Sequence, residues 1–225
     1  GLYELYMNGQ KVGNHRLDPM YTRFDRRNLY VTYDVTKLIQ EGKNAIGVLL
    51  GNGWYNHQSI VVWDFHHAPW RNRPAFCMDL HIMYADGTKD IICTDRDWRT
   101  REGGLLFNSI YTGEHYDAQA ELDGWNLPGY DDSTWRESSY RSVPSTCLTA
   151  QQLHPIRSVE TYVARRMTSL SDSVYVFDFG QNMSGVTSLK VTGEKGTVIR
   201  LKHGERLYSN GRVNTSNIGR ERYIT

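Results

Sequence analysis

The feature that most constrains the fold is an alternation of short β-rich runs with glycine-bearing turns, relieved by a single helical stripe. Leu5-Tyr6-Met7 and Lys11-Val12 flank Asn8-Gly9-Gln10, and Asn-Gly favours the positive-φ conformations that match strand twist. Leu29 to Tyr33 is a β-rich run, and Ala45 to Leu50 is a continuous apolar run fit for a central buried strand. Ala75 to Tyr84 and Asp90 to Cys93 read as a second hairpin around Ala85-Asp86-Gly87-Thr88. Farther on, Val174 to Phe179 is strand-like. Thr187 to Val191 and Thr197 to Leu201 alternate on either side of Gly193-Glu194-Lys195-Gly196, a third hairpin. The helical stripe is Val35, Leu38 and Ile39, with Asp34 as its N-cap and Gly42 as its stop. It predicts one short helix of two turns at most.

Short strands at regular spacing predict an all-β chain of two antiparallel, jelly-roll-like β-sandwich domains. The stretch from Leu127 to Pro155 is rich in Pro, Ser, Asp and Gly, which places a boundary within it. The expected domains cover 1–154 and 155–225, and 225 residues suffice for two such cores. Strand-like pieces at Gly1 to Tyr6 and at Arg222 to Thr225 close no unit, so the chain is expected to be part of a longer one.

With 26 Lys+Arg against 25 Asp+Glu and no basic run, the chain has no field to hold nucleic acid or an anionic membrane. No apolar stretch reaches the length of a membrane span. Cys77, Cys93 and Cys147 form no CxxC pair and read as small buried hydrophobes, although Cys77 and Cys93 flank the second hairpin closely enough to approach each other.

Candidate binding residues concentrate between Gly51 and Pro74, a long aromatic loop region with Trp54, Tyr55, Trp63, Phe65, Trp70 and three His. Trp54, Tyr55 and Trp63, with Asp64 beside them, suit sugar stacking, because an indole or phenol face is apolar and its edge polar. Asn52 and Asn56 offer flanking polar groups. The rival reading makes the same rings plugs beneath the loop. His66 and His67 are adjacent and diverge if extended, and His57 and His66 lack a Cys or carboxylate at zinc spacing, so no metal site is assigned. Glu114-His115-Tyr116-Asp117 reads as a capped turn ahead of a sugar-hydroxyl or Ca²⁺ contact, and calcium is the only ion kept as a candidate. Asp131-Asp132-Ser133 before Trp135 reads as an Asx-turn loop pinned by the indole. No phosphate-binding glycine loop and no nucleophile elbow is present.

With these elements placed, the wording of the chain resembles the amino-terminal β-domain of bacterial α-L-rhamnosidases, glycoside hydrolase family 78. The resemblance is carried by GLYELYMNGQKVG from Gly1, by YVTYDVTKLIQEGKNAIGVLLGNGWY from Tyr30, and by YTGEHYDAQAELDGWNLPGYDDSTW from Tyr111. It continues into that family's following β-sandwich through FDFGQNMSGVTSLKVTG from Phe177 and LKHGERLYSNGRV from Leu201. Arg23 and Gln119 depart from the family's wording, standing where Asp and Arg are common. Wording similar to DVTKLIQEGKNAIGVLL occurs in jelly-roll sugar-binding domains of β-galactosidases and β-glucuronidases, so a different glycosidase or a free-standing carbohydrate-binding module remain alternatives. The resemblance implies hydrolysis of terminal α-L-rhamnose with inversion by a catalytic (α/α)₆ barrel that this chain lacks, so no catalytic residue is assigned in it. It also implies a rhamnosylated glycan or glycoside as partner, contact with the barrel of the parent chain, and a periplasmic or extracellular location.

Overall fold

The computed structural model describes residues 1–60 and 63–216. Its regular structure is almost entirely β, in short strands, and the Cα packing divides it into two compact units, Gly1–Arg157 and Ser158–Thr225.

In the first unit, Leu2–Met7 pairs antiparallel with both Gln10–Lys11 and Ile46–Gly51. The turn between the first two strands is the Asn8-Gly9 pair, both at positive φ (51° and 80°), as a two-residue hairpin requires. Asn8 also works across the turn. Its Oδ1 accepts from the Ala45 N–H at 2.8 Å and its Nδ2 donates to the Leu38 carbonyl at 2.9 Å. The apolar run is therefore not the central strand expected. Leu2–Met7 takes the middle of this sheet, while Ile46–Gly51 flanks it with Leu49 exposed and Trp125 lying over Gly47.

The expected helix is also absent. Val35 to Ile39 forms one hydrogen-bonded turn, in which the Leu38 and Ile39 N–H groups both donate to the Val35 carbonyl, at 2.8 and 3.2 Å. Asp34 does cap it, accepting from the Thr36 N–H at 3.0 Å. Propagation fails because side chains take the next backbone groups. Asn44 Oδ1 accepts from the Gln40 N–H, Asn44 Nδ2 donates to the Gln40 carbonyl, and Asn8 holds the Leu38 carbonyl.

The second hairpin forms as Asp79–Met83 against Lys89–Cys93. All three cysteines are exposed free thiols rather than buried, and the strand Lys89–Cys93 that ends on Cys93 is exposed along its whole length. Within the Pro/Ser/Asp/Gly-rich stretch, Arg136–Glu137 pairs with Arg99–Thr100, and Leu148–Ala150 runs parallel to Asn28–Tyr30, an exception to the antiparallel rule. Ile156–Arg157 then pairs with His15–Arg16. Asp131 makes the Asx turn, accepting from the Ser133 N–H at 3.0 Å, and Trp135 packs edge-on to Tyr130.

The second unit holds the hairpin Arg166–Ser171 with Val174–Asp178, and Leu207 bridges Val213 around a turn at Gly211. The third expected hairpin keeps its turn, with the Thr197 N–H donating to the Glu194 carbonyl at 3.0 Å, but has no ladder on either side. Residues 181–209 are exposed throughout, and a two-stranded ribbon with no face to pack on is marginal. The expected strand at Arg222 to Thr225 lies outside the described residues.

Candidate functional site

Buried aromatic residues of the first unit gather around Phe24, Tyr55 and Trp70, with Trp54, Phe65 and Ala68 packed on them. Phe24 stands edge-on to Tyr55 (5.3 Å between centroids) and to Trp70 (5.9 Å), the offset geometry that ring quadrupoles favour. Trp54 is the hinge between this core and the surface. Phe65 and Tyr111 meet it edge-on at 5.6 and 5.7 Å, and its backbone carbonyl accepts from Trp70 Nε1 at 3.5 Å.

Trp63 lies on top. Its ring stacks on Trp54 with centroids 5.9 Å apart and planes at 28°, yet 74% of the residue remains exposed. One face is supported and the other is open to solvent. Tyr21, also exposed, stacks on Phe65 (5.8 Å, 30°) and approaches Trp54 at 6.0 Å, so the aromatic surface extends beyond the loop itself. Tyr55 takes the plug role instead, buried at 8% exposure against Phe24.

The polar flanks differ in availability. The Asn52 N–H and side-chain amide both donate to Asn108, at 2.7 and 2.8 Å, and Asn56 Nδ2 donates to Asn52 Oδ1 at 2.8 Å. These amides fix the loop to the neighbouring strand. Asp64, by contrast, has a side chain 82% exposed. It heads a 3₁₀ turn at Phe65–His67 without capping it, and both Trp63 and Asp64 sit at positive φ, 44° and 58°. That left-handed pair turns the Asp64 carboxylate back toward the imidazoles, 3.8 Å from His66 Nδ1 and 4.0 Å from His67 Nδ1. His66 and His67 therefore do not diverge as extended neighbours would; on the 3₁₀ turn their rings lie 3.9 Å apart.

Beneath them His57 is 2% exposed, and neither ring nitrogen has a hydrogen-bond partner among the described residues. Burial, together with the nearby His66 and Arg71, holds its pKa below the ordinary 6.5, so it is neutral at physiological pH. The side chains of the Glu114–Asp117 cluster make local contacts. Asp117 caps the Ala118–Ala120 turn through the Gln119 N–H, Tyr116 donates its hydroxyl to Glu121, and His115 packs on Phe107.

The first 160 residues match the family model described as the α-L-rhamnosidase N-terminal domain. The chain belongs to that family. Residues 168–225 match the bacterial α-L-rhamnosidase concanavalin-like domain. An α-L-rhamnosidase of Streptomyces avermitilis is 38% identical over 220 residues, covering 97% of this chain and 21% of that protein. One from Formosa agariphila is 35% identical, covering 94% and 22%. Among solved structures, the Streptomyces avermitilis α-L-rhamnosidase complexed with L-rhamnose superimposes with a TM-score of 0.92 at 36% identity, over 99% of this chain and 22% of that one. The α-L-rhamnosidase from Dictyoglumus thermophilum gives 0.84 at 39%, over 95% and 23%. The chain thus spans about a fifth of the length of these relatives.

Within this α-L-rhamnosidase N-terminal domain, Trp54, Trp63 and Asp64 are brought to one surface and Tyr55 is set below it. Tyr21, Phe24 and Tyr111 complete the aromatic assembly. They lie 30 or more residues away in sequence from the tryptophans they touch, in segments whose local pattern carries no sign of the contact.

Proposed function

We propose that this chain is the accessory β part of an α-L-rhamnosidase, a hydrolase releasing terminal α-L-rhamnose from glycans or glycosides with inversion, and that its first unit faces carbohydrate through Trp63. Inverting hydrolysis needs a carboxylic acid and a carboxylate about 6.5–9.5 Å apart on opposite sides of the sugar. Those groups belong to a catalytic barrel elsewhere in the parent protein, and the role of this chain is to brace it and present substrate. A periplasmic or extracellular setting goes with that reading.

The observation carrying the sugar-facing part is the exposed Trp63 face on its Trp54 support. A deoxy sugar such as rhamnose has a methyl-bearing side that is unusually apolar, and covering an indole face with it contributes on the order of 1–2 kcal/mol. That alone gives millimolar affinity, with the exposed Asp64 carboxylate able to accept from sugar hydroxyls. The test is an NMR titration of the tryptophan indole N–H signals with L-rhamnose. Saturable shifts at Trp63 and Trp54, with Trp98 and Trp135 unmoved, support the reading; no shift at Trp63 under saturating sugar refutes it.

A further inference from the structure

We propose that Asp64, His66 and His67 form a binding site for one divalent transition-metal ion of the Zn²⁺ class. One ligand atom from each lies within 4.8 Å of the others. The same carboxylate oxygen, Asp64 Oδ1, is 3.8 Å from His66 Nδ1 and 4.0 Å from His67 Nδ1. Around a Zn²⁺ with bonds of ~2.0–2.1 Å, tetrahedral ligand atoms stand roughly 3.4 Å apart, so the two Asp64–His edges have to close by about half an ångström and the His66–His67 edge, within 4.8 Å, by at most about 1.4 Å.

The three side chains divide the work of closing. His66 is held, with a side chain 16% exposed and Nδ1 buried without a hydrogen-bond partner among the described residues. His67 and Asp64, at 77% and 82%, are free to swing toward it. An imidazole nitrogen that is buried, unpartnered and faced by a carboxylate lacks a donor or a cation, and a metal ion supplies the latter. The backbone is arranged for this rather than for helix capping. Two consecutive non-glycine residues at positive φ turn Asp64 over the 3₁₀ turn, and its carboxylate makes no cap bond. Arg71 Nη1 donates to the His66 carbonyl at 3.2 Å, which steadies the turn but leaves one positive charge near it that the three ligands must outweigh. His57 underneath, kept neutral by burial, adds no further charge. Imidazole nitrogen with a single carboxylate selects Zn²⁺, Ni²⁺ or Cu²⁺ over Ca²⁺ or Mg²⁺, which prefer all-oxygen shells. With three protein ligands, the fourth position belongs to water.

The site shares Asp64 with the proposed sugar-facing surface, and it is tested in the absence of sugar. The 225-residue chain, its exposed thiols at Cys77, Cys93 and Cys147 alkylated so that they cannot compete for the ion, is titrated with ZnCl₂ by calorimetry at neutral pH. One saturable ion with Kd on the order of 10 µM is expected, weakened about tenfold or more in both His67→Gln and Asp64→Asn. Both side chains are exposed, so these variants keep the fold, which far-UV circular dichroism verifies. Absence of saturable zinc binding in the alkylated protein, or unchanged affinity in either variant, overturns the assignment.

Discussion

Gln151 and Asp18, 133 residues apart, are joined by a hydrogen bond of 3.0 Å from Gln151 Nε2 to Asp18 Oδ1. Gln151 Oε1 accepts from the Met20 N–H at 2.8 Å, so one side chain clamps a late segment of the first unit onto an early loop. Asp18 is 2% exposed, and its other oxygen accepts from the Tyr33 hydroxyl at 3.1 Å and pairs with His15 Nδ1 at 2.7 Å. Burial and the adjacent Tyr3 hydroxyl hold the Tyr33 phenol well above its ordinary pKa, so it remains a donor to Asp18 at all physiological pH.

Truncating that clamp leaves buried partners unsatisfied. Gln151→Ala is expected to destabilise the first unit by about 1–3 kcal/mol, the cost of uncompensated buried polar groups. Urea denaturation followed by tryptophan fluorescence measures it selectively, because all six Trp lie in Gly1–Arg157. A midpoint unchanged from wild type would show that the clamp contributes nothing.

The plug and platform roles separate by stability. Tyr55→Ala removes a buried ring from the Phe24–Trp70 cluster and is expected to cost about 3–5 kcal/mol, whereas Trp63→Ala, largely exposed, should stay within about 1 kcal/mol of wild type. Equal losses in the two variants would contradict the division drawn between them.

Acid should act on this aromatic layer before it reaches the carboxylates. The His57 pKa is depressed in the fold relative to the ordinary 6.5, chiefly by burial, so the unfolded chain binds the proton more tightly. The stability that follows from this is fully present above pH 6.5 and is lost as pH falls from there through the folded-state pKa. His57→Phe preserves an aromatic ring and removes the titration. Its stability should be flatter than wild type over that window. Parallel pH profiles for the two proteins would rule out His57 as the source.

Much of the fold was legible because its signals are local. Asn8-Gly9 dictates its own turn, and Asp131 and Asp117 cap the backbone two residues on. What was not legible depends on partners far along the chain. The Val35–Ile39 stripe has helical spacing, but Asn8 and Asn44 intercept its backbone, and no window around Val35 contains Asn8. Ile46–Gly51 has the composition of a central strand, and its flanking place is set by which strand Leu2–Met7 pairs with on its other side. At the site, the tryptophans were visible as residue types, but which ring is plug and which is platform is decided by Phe24 and Tyr21. The divergence expected of His66 and His67 rests on an extended backbone, and no local pattern around them signals the 3₁₀ turn on which their rings lie 3.9 Å apart.

The proposed function puts hydrolysis outside this chain. The purified 225 residues should show no turnover of an aryl α-L-rhamnoside above the uncatalysed rate, and an active parent enzyme should release the β-anomer first in an NMR time course. Turnover abolished by a substitution within this chain would reassign the chemistry to it.

The most direct test of the carbohydrate-facing reading is the affinity of the chain for L-rhamnose, compared by isothermal titration between wild type and Trp63→Ala. Millimolar binding to wild type that falls about tenfold or more in the variant, with its unfolding midpoint retained, is the expected result. Equal affinities for the two proteins, or no binding to either, would contradict it and leave the first unit a scaffold.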